Sequence, residues 1–138
     1  MSNPAKSADI LIADDEPINL TILTQLLILE GYAVRTALSG ELAIRSAASK
    51  PPNLIILDIS MPPGLDGYEV CKHLKSRAAS KDIPIIFISA LHEPSDKMRA
   101  FQAGGQDFIS KPFRIDDVRE RVRTQLRMRG IGQYSACG

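Results

Sequence analysis

The sequence contains no tryptophan, and aromatic residues of all kinds make up only 5% of it. It has two cysteines, Cys71 and Cys137, and no CxxC pair. Two isolated thiols make neither a disulfide framework nor a zinc site. Cys71 falls at helical spacing with Leu74 and is expected in a core, whereas Cys137 is expected exposed in a tail. His73 and His92 lack the neighbouring ligands of a zinc site and are expected at the surface. No apolar run approaches the roughly 18–20 residues that a bilayer span requires. The stretch from Met1 to Ala8 has no apolar signal-peptide centre. A cytoplasmic protein without membrane contact is therefore expected. The formal net charge is only +1, so nothing calls for direct nucleic-acid binding. No glycine-rich loop follows the first apolar run, which makes flavin or dinucleotide binding a weak reading. There is no internal repeat and no low-complexity segment.

What is present suits one domain. The chain has 138 residues, 44% hydrophobic and 24% charged, enough for a single core. Residues 9–129 are expected to form it, with 1–8 and 130–138 as flexible tails. Charge is uneven: from Lys111 to Arg129 there are seven basic residues against three acidic ones. This reads either as a solvated helix face with internal ion pairs or as a partner surface.

Short apolar runs alternate with helical patterns. Ile10–Ala13, Leu54–Leu57 and Ile85–Ile88 are almost wholly apolar, as strands covered on both faces are. Ala33–Ala37 and Asp107–Ser110 are mixed, which suits edge strands. Between them, Pro17 opens a helix that shows Leu20, Leu23, Leu26 and Leu27 on one side and ends at Gly31. Ser39 caps a second, with Leu42, Ala43 and Ala47, stopped by Pro51 and Pro52. A third carries Val70, Cys71 and Leu74. A fourth spans about 94–103. A fifth begins after Pro112 and carries Ile115, Val118, Val122 and Leu126. The pattern predicts an α/β fold: a flavodoxin-like (βα)5 doubly wound parallel sheet in strand order 2-1-3-4-5.

Chemistry gathers where strands end. Asp14 and Asp15 come after the first strand, Asp58 after the third, Ser89 ends the fourth, and Lys111 comes after the fifth. In a doubly wound sheet, ligands bind outside the carboxyl ends of the strands, so these groups should meet in one cleft. Three carboxylates in one place repel each other and raise one another's pKa unless a cation intervenes. An all-oxygen site beside a lysine suits magnesium and phosphoryl chemistry.

The blocks LIADDEP, LIILDISMP, FISA and DFISKPF resemble those of two-component response-regulator receiver domains, over about residues 9–128. The resemblance implies a phosphoacceptor that takes a phosphoryl group from a sensor histidine kinase or histidine phosphotransfer protein. It implies that Asp58 is the acceptor and that Asp14, Asp15, Asp58 and the backbone carbonyl of Ser60 hold Mg2+, Asp15 more directly than Asp14. By the same resemblance, Lys111 contacts the phosphoryl group, Ser89 turns toward it, and Phe108 is the aromatic switch residue, its two states differing by packing alone. The Lys111–Pro112 bond is expected to be cis. A switched surface on the fourth helix, fifth strand and fifth helix is implied, with a homodimer through that face as one possibility. Ser60 and Leu91, two residues past Asp58 and Ser89, are candidates for setting the rate of self-dephosphorylation. The segment from Ser60 to Gly67 is one residue longer than the commonest pattern of the family. Two other readings compete: a magnesium-dependent phosphohydrolase with an Asp nucleophile, and an interaction module that needs no phosphate. Against the hydrolase, Ser60 stands where many such enzymes place a second Asp, and no stretch is long enough for a substrate cap.

Overall fold

The computed structural model describes residues 7–91 and 93–130. Ten elements alternate along it: β1 (Asp9–Ala13), α1 (Pro17–Leu29), β2 (Ala33–Ala37), α2 (Gly40–Ser49), β3 (Leu54–Asp58), α3 (Gly67–Lys75), β4 (Ile85–Ser89), α4 (Pro94–Gln102), β5 (Asp107–Ser110) and α5 (Ile115–Met128). All strand pairs are parallel, in the order β2-β1-β3-β4-β5. This is the flavodoxin-like arrangement expected from the alternation of runs. Every residue of β3 and β4 is buried, whereas β2 and β5, the mixed runs, lie at the edges. Cys137 and His92 lie outside the described residues.

The period-two alternation of strands divides the core in two. Ile10, Ile12, Leu54, Ile56, Ile86, Ile88 and Ile109 meet α1 and α5 on one face. Leu11, Ala13, Ile55, Leu57, Ile85, Phe87 and Phe108 meet α2, α3 and α4 on the other. α1 supplies Leu20, Leu23, Leu26 and Leu27, as its spacing predicts. Cys71 is buried in the second cluster, where burial pushes its thiol up to about 11.

Two residues expected on apolar faces are half-exposed, Leu42 and Ile115. Each lies in the first turn of its helix. α2 packs through the small residues Ala43 and Ala47 instead, and the buried stripe of α5 begins one turn later at Val118. His73, expected at the surface, is half-buried and its Nε2 accepts a hydrogen bond from Arg77 Nε at 2.9 Å. The basic segment is largely paired. Arg119 meets Glu30 and Asp116, Arg121 meets Asp107 and Asp117, and Arg123 meets Glu30. Among the described residues no helix is long and apolar enough to cross a membrane.

Candidate functional site

The β3 and β4 ladders run one residue further than their apolar runs. Asp58 still pairs with Ile88, and Ser89 with Ser110, so both polar side chains belong to strands and not to loops. That fixes their backbones within the sheet. Asp14 is held in a similar way just past β1, its backbone N–H donating to Ala37 O at 3.1 Å.

Four of the five predicted groups converge. Lys111, just past β5, places Nζ 3.1 Å from Asp14 Oδ2 and 3.2 Å from Asp58 Oδ2. Asp14, Asp15 and Asp58 each offer a carboxylate oxygen within 4.8 Å of the others. Asp14 is fully buried and Asp58 is 3% exposed, while Asp15 is half-buried. The loops satisfy part of this charge: Glu16 N–H donates to Asp14 Oδ1 at 2.9 Å, and Ser60 N–H donates to Asp58 Oδ1 at 3.3 Å. Asp14 Oδ2 is buried beside the ammonium but accepts no well-aligned hydrogen bond.

Burial, with the Asp14 charge behind it, pushes the Asp58 carboxyl up to about 7, against the pull of Lys111. Burial works to lower the Lys111 pKa, but the charges of Asp58 and Asp14 outweigh it and the net shift is upward. One cation thus serves a nest of acids, one of which resists ionising. Hard oxygen donors and an under-bonded buried carboxylate oxygen fit a divalent cation of the magnesium type.

Ser89 lies one step beyond the strand partner of Asp58 and is 1% exposed. Its Oγ accepts a hydrogen bond from Leu91 N–H at 2.9 Å, and its carbonyl accepts one from Lys111 N–H at 2.8 Å. Leu91 and Ser60 are exposed at the rim. The Phe108 ring is buried in the core, with Lys97 Nζ 5.7 Å from its centroid. In this position the Phe108 ring therefore has a cation–π contact beside its packing. The Lys111–Pro112 bond is cis, as expected. Gly67 permits α3 to start against the end of β3, since a Cβ there would collide with Asp58 O.

Sequence pattern alone does not single out Glu16. Its Oε1 lies 3.3 Å from Lys111 Nζ and accepts from Asn19 Nδ2 at 2.8 Å. Its place directly after the acidic pair is the one signal that could have marked it.

The profile of the response regulator receiver domain matches residues 10–123. The chain is 40% identical over 125 residues to Response regulator PleD of Caulobacter vibrioides, covering 89% of this chain and 27% of that protein. It is 39% identical over 127 residues to Alkaline phosphatase synthesis transcriptional regulatory protein PhoP of Bacillus subtilis, covering 92% and 52%. The chain thus spans between about a quarter and a half of the length of these curated relatives. Among solved structures, a putative response regulator from Chloroflexus aurantiacus superposes with a TM-score of 0.85 at 34% identity, covering 88% of this chain and 99% of that one. The chemotaxis protein CheY4 of Vibrio cholerae gives 0.82 at 26% identity, covering 87% and 99%. The folded segment, its cleft of acids and these likenesses agree: the chain belongs to the response-regulator receiver domain family.

Proposed function

We propose that this receiver domain accepts a phosphoryl group on Asp58 from the phosphohistidine of a sensor histidine kinase or phosphotransfer protein. The observation that carries the reading is the position of Lys111 Nζ, within 3.2 Å of both Asp14 and Asp58 at the carboxyl edge of the sheet. The Asp58 carboxylate attacks phosphorus in line. The P–N bond to the histidine breaks, its electron pair stays on the imidazole, and an acyl phosphate forms. Lys111 balances charge on the phosphoryl oxygens. Asp14, Asp15, Asp58 and the Ser60 carbonyl would hold Mg2+, which supplies charge neutralisation to the acids and to the transferring group.

Once the phosphoryl group is in place, Ser89 exchanges its turn with Leu91 for a hydrogen bond donated to a phosphoryl oxygen. Phe108 and the α4–β5–α5 face respond as a population shift. A joined domain, a separate partner or a second copy reads that face. Ser60 and Leu91 govern access of water to the acyl phosphate and so its self-hydrolysis. Residues 9–129 act as the folded unit.

The test is mass spectrometry after incubation with phosphoramidate. The chain is expected to gain one phosphoryl group with magnesium and none with a chelator, and Asp58→Asn is expected to gain none. Uptake by Asp58→Asn equal to the parent overturns the assignment. Repeated turnover of an external phosphate ester would favour a hydrolase.

A further inference from the structure

Residues 60–66 lead from β3 to α3 and form the rim that carries the Ser60 carbonyl. Both ends of this loop are pinned. At its start, Ser60 N–H donates to Asp58 Oδ1, and Met61 is buried. At its end, Gly67 N–H donates to Ile59 O at 2.7 Å, and Asp66 and Glu69 close a capping box. The stretch between, Pro62-Pro63-Gly64, is exposed, and its prolines have no N–H with which to be tied down.

The side chain that meets this stretch comes from the first turn of α2. Glu41 Oε2 accepts a hydrogen bond from Leu65 N–H at 3.2 Å. A Cβ built on Gly64 would lie 2.5 Å from both Glu41 carboxylate oxygens, so a side chain there would displace the carboxylate. The helix itself comes close as well: a Cβ on Gly40 would lie 3.0 Å from Leu65 O and 2.6 Å from Val70 Cγ2.

We propose that Glu41 is a positioning residue for the cation site, its carboxylate hooking the loop onto α2 and so holding the Ser60 carbonyl in line with Asp14, Asp15 and Asp58. The inference rests on the reading of those acids as a magnesium site. Freedom that the loop loses on folding is not lost again when the cation binds, and partners that orient ligands raise metal affinity for that reason.

Titration calorimetry with magnesium chloride on the full chain provides the test. Glu41→Ala removes both hook and charge. Gly64→Ala keeps the charge and crowds the carboxylate out, on a backbone without positive φ. Glu41→Gln keeps an oxygen acceptor and removes the charge. The first two are expected to weaken magnesium binding by about tenfold, and Glu41→Gln by clearly less. Amide hydrogen exchange at Leu65 should accelerate in Glu41→Ala and Gly64→Ala even in chelator. Unchanged affinity in both alanine variants overturns the inference. So does a loss shared equally by Glu41→Ala and Glu41→Gln but absent from Gly64→Ala, which would mark a charge effect alone. A parent chain that binds no magnesium overturns the cation site and this inference with it. The metal-free exchange at Leu65 still reports whether the hook exists, so the two failures are distinguishable.

Discussion

α1 and α4 open with the same two residues, Glu16-Pro17 and Glu93-Pro94, and both begin near the carboxyl edge of the sheet. Beyond that shared start the two helices differ. α1 has 13 residues and buries four leucines. α4 has 9 residues and buries only Ala100, leaving Met98 and Phe101 exposed. α4 is held instead by directional contacts: Tyr68 Oη donates to Asp96 O at 3.2 Å, the Arg99 guanidinium lies 4.2 Å from the Tyr68 ring centroid, and Lys97 stands over Phe108. Buried leucine area is non-directional and is released only by unfolding. A hydrogen bond and two cation–π contacts can be exchanged one at a time. One helix is therefore held by burial that only unfolding releases, and the other largely by contacts that can be given up singly.

The contrast can be broken most sharply in α1. Leu23 is fully buried, and Leu23→Ala is expected to cost about 2–5 kcal/mol in urea unfolding. Phe101→Ala on α4 should stay within about 0.5 kcal/mol, and equal losses would erase the distinction.

The rim onto which both helices open carries the next largest effect. Without metal, the Asp58 carboxyl titrates near 7 when folded and near its ordinary 3.8 when unfolded. The folded chain therefore holds this proton more tightly. Its contribution is complete below about pH 4, falls as pH rises toward 7, and is gone above that. In chelator at pH 8, Asp58→Asn should be more stable than the parent by about 2–4 kcal/mol. The gap should close toward pH 4, and a gap indifferent to pH would contradict the buried-acid account.

The smallest effect concerns the tie to α4 itself. Tyr68→Phe removes one hydrogen bond and should cost about 0.5–1.5 kcal/mol. Amide exchange should quicken in α4 and stay unchanged in α1. Equal changes in both helices would show that Tyr68 supports the whole domain and not α4 in particular.

Much of this was legible in the residues. Unbroken runs at Leu54 and Ile85 marked central strands, and mixed runs at Ala33 and Asp107 marked edges, because burial on two faces favours apolar residues at successive positions. Asp14, Asp15, Asp58 and Lys111 were legible because each stands where a strand ends, and a parallel sheet brings such ends together. Glu41 was not legible. It reads as an ordinary acid in the first turn of a helix, and its partner at Leu65 is 24 residues away, beyond the rest of α2 and the whole of β3. Periodicity carries no information about such a meeting. Ile115 and Leu42 misled for a related reason: spacing gives the face of a helix but not which of its turns is buried.

The main-chain bond from Lys111 N–H to Ser89 O, 2.8 Å long, joins the last residue of β4 to the residue that leaves β5. The hydroxyl-bearing residue and the ammonium-bearing residue are therefore yoked through their backbones. Whatever tugs on one end of this yoke must drag the other or snap the link, so the two sides of the cleft are coupled for as long as that bond holds.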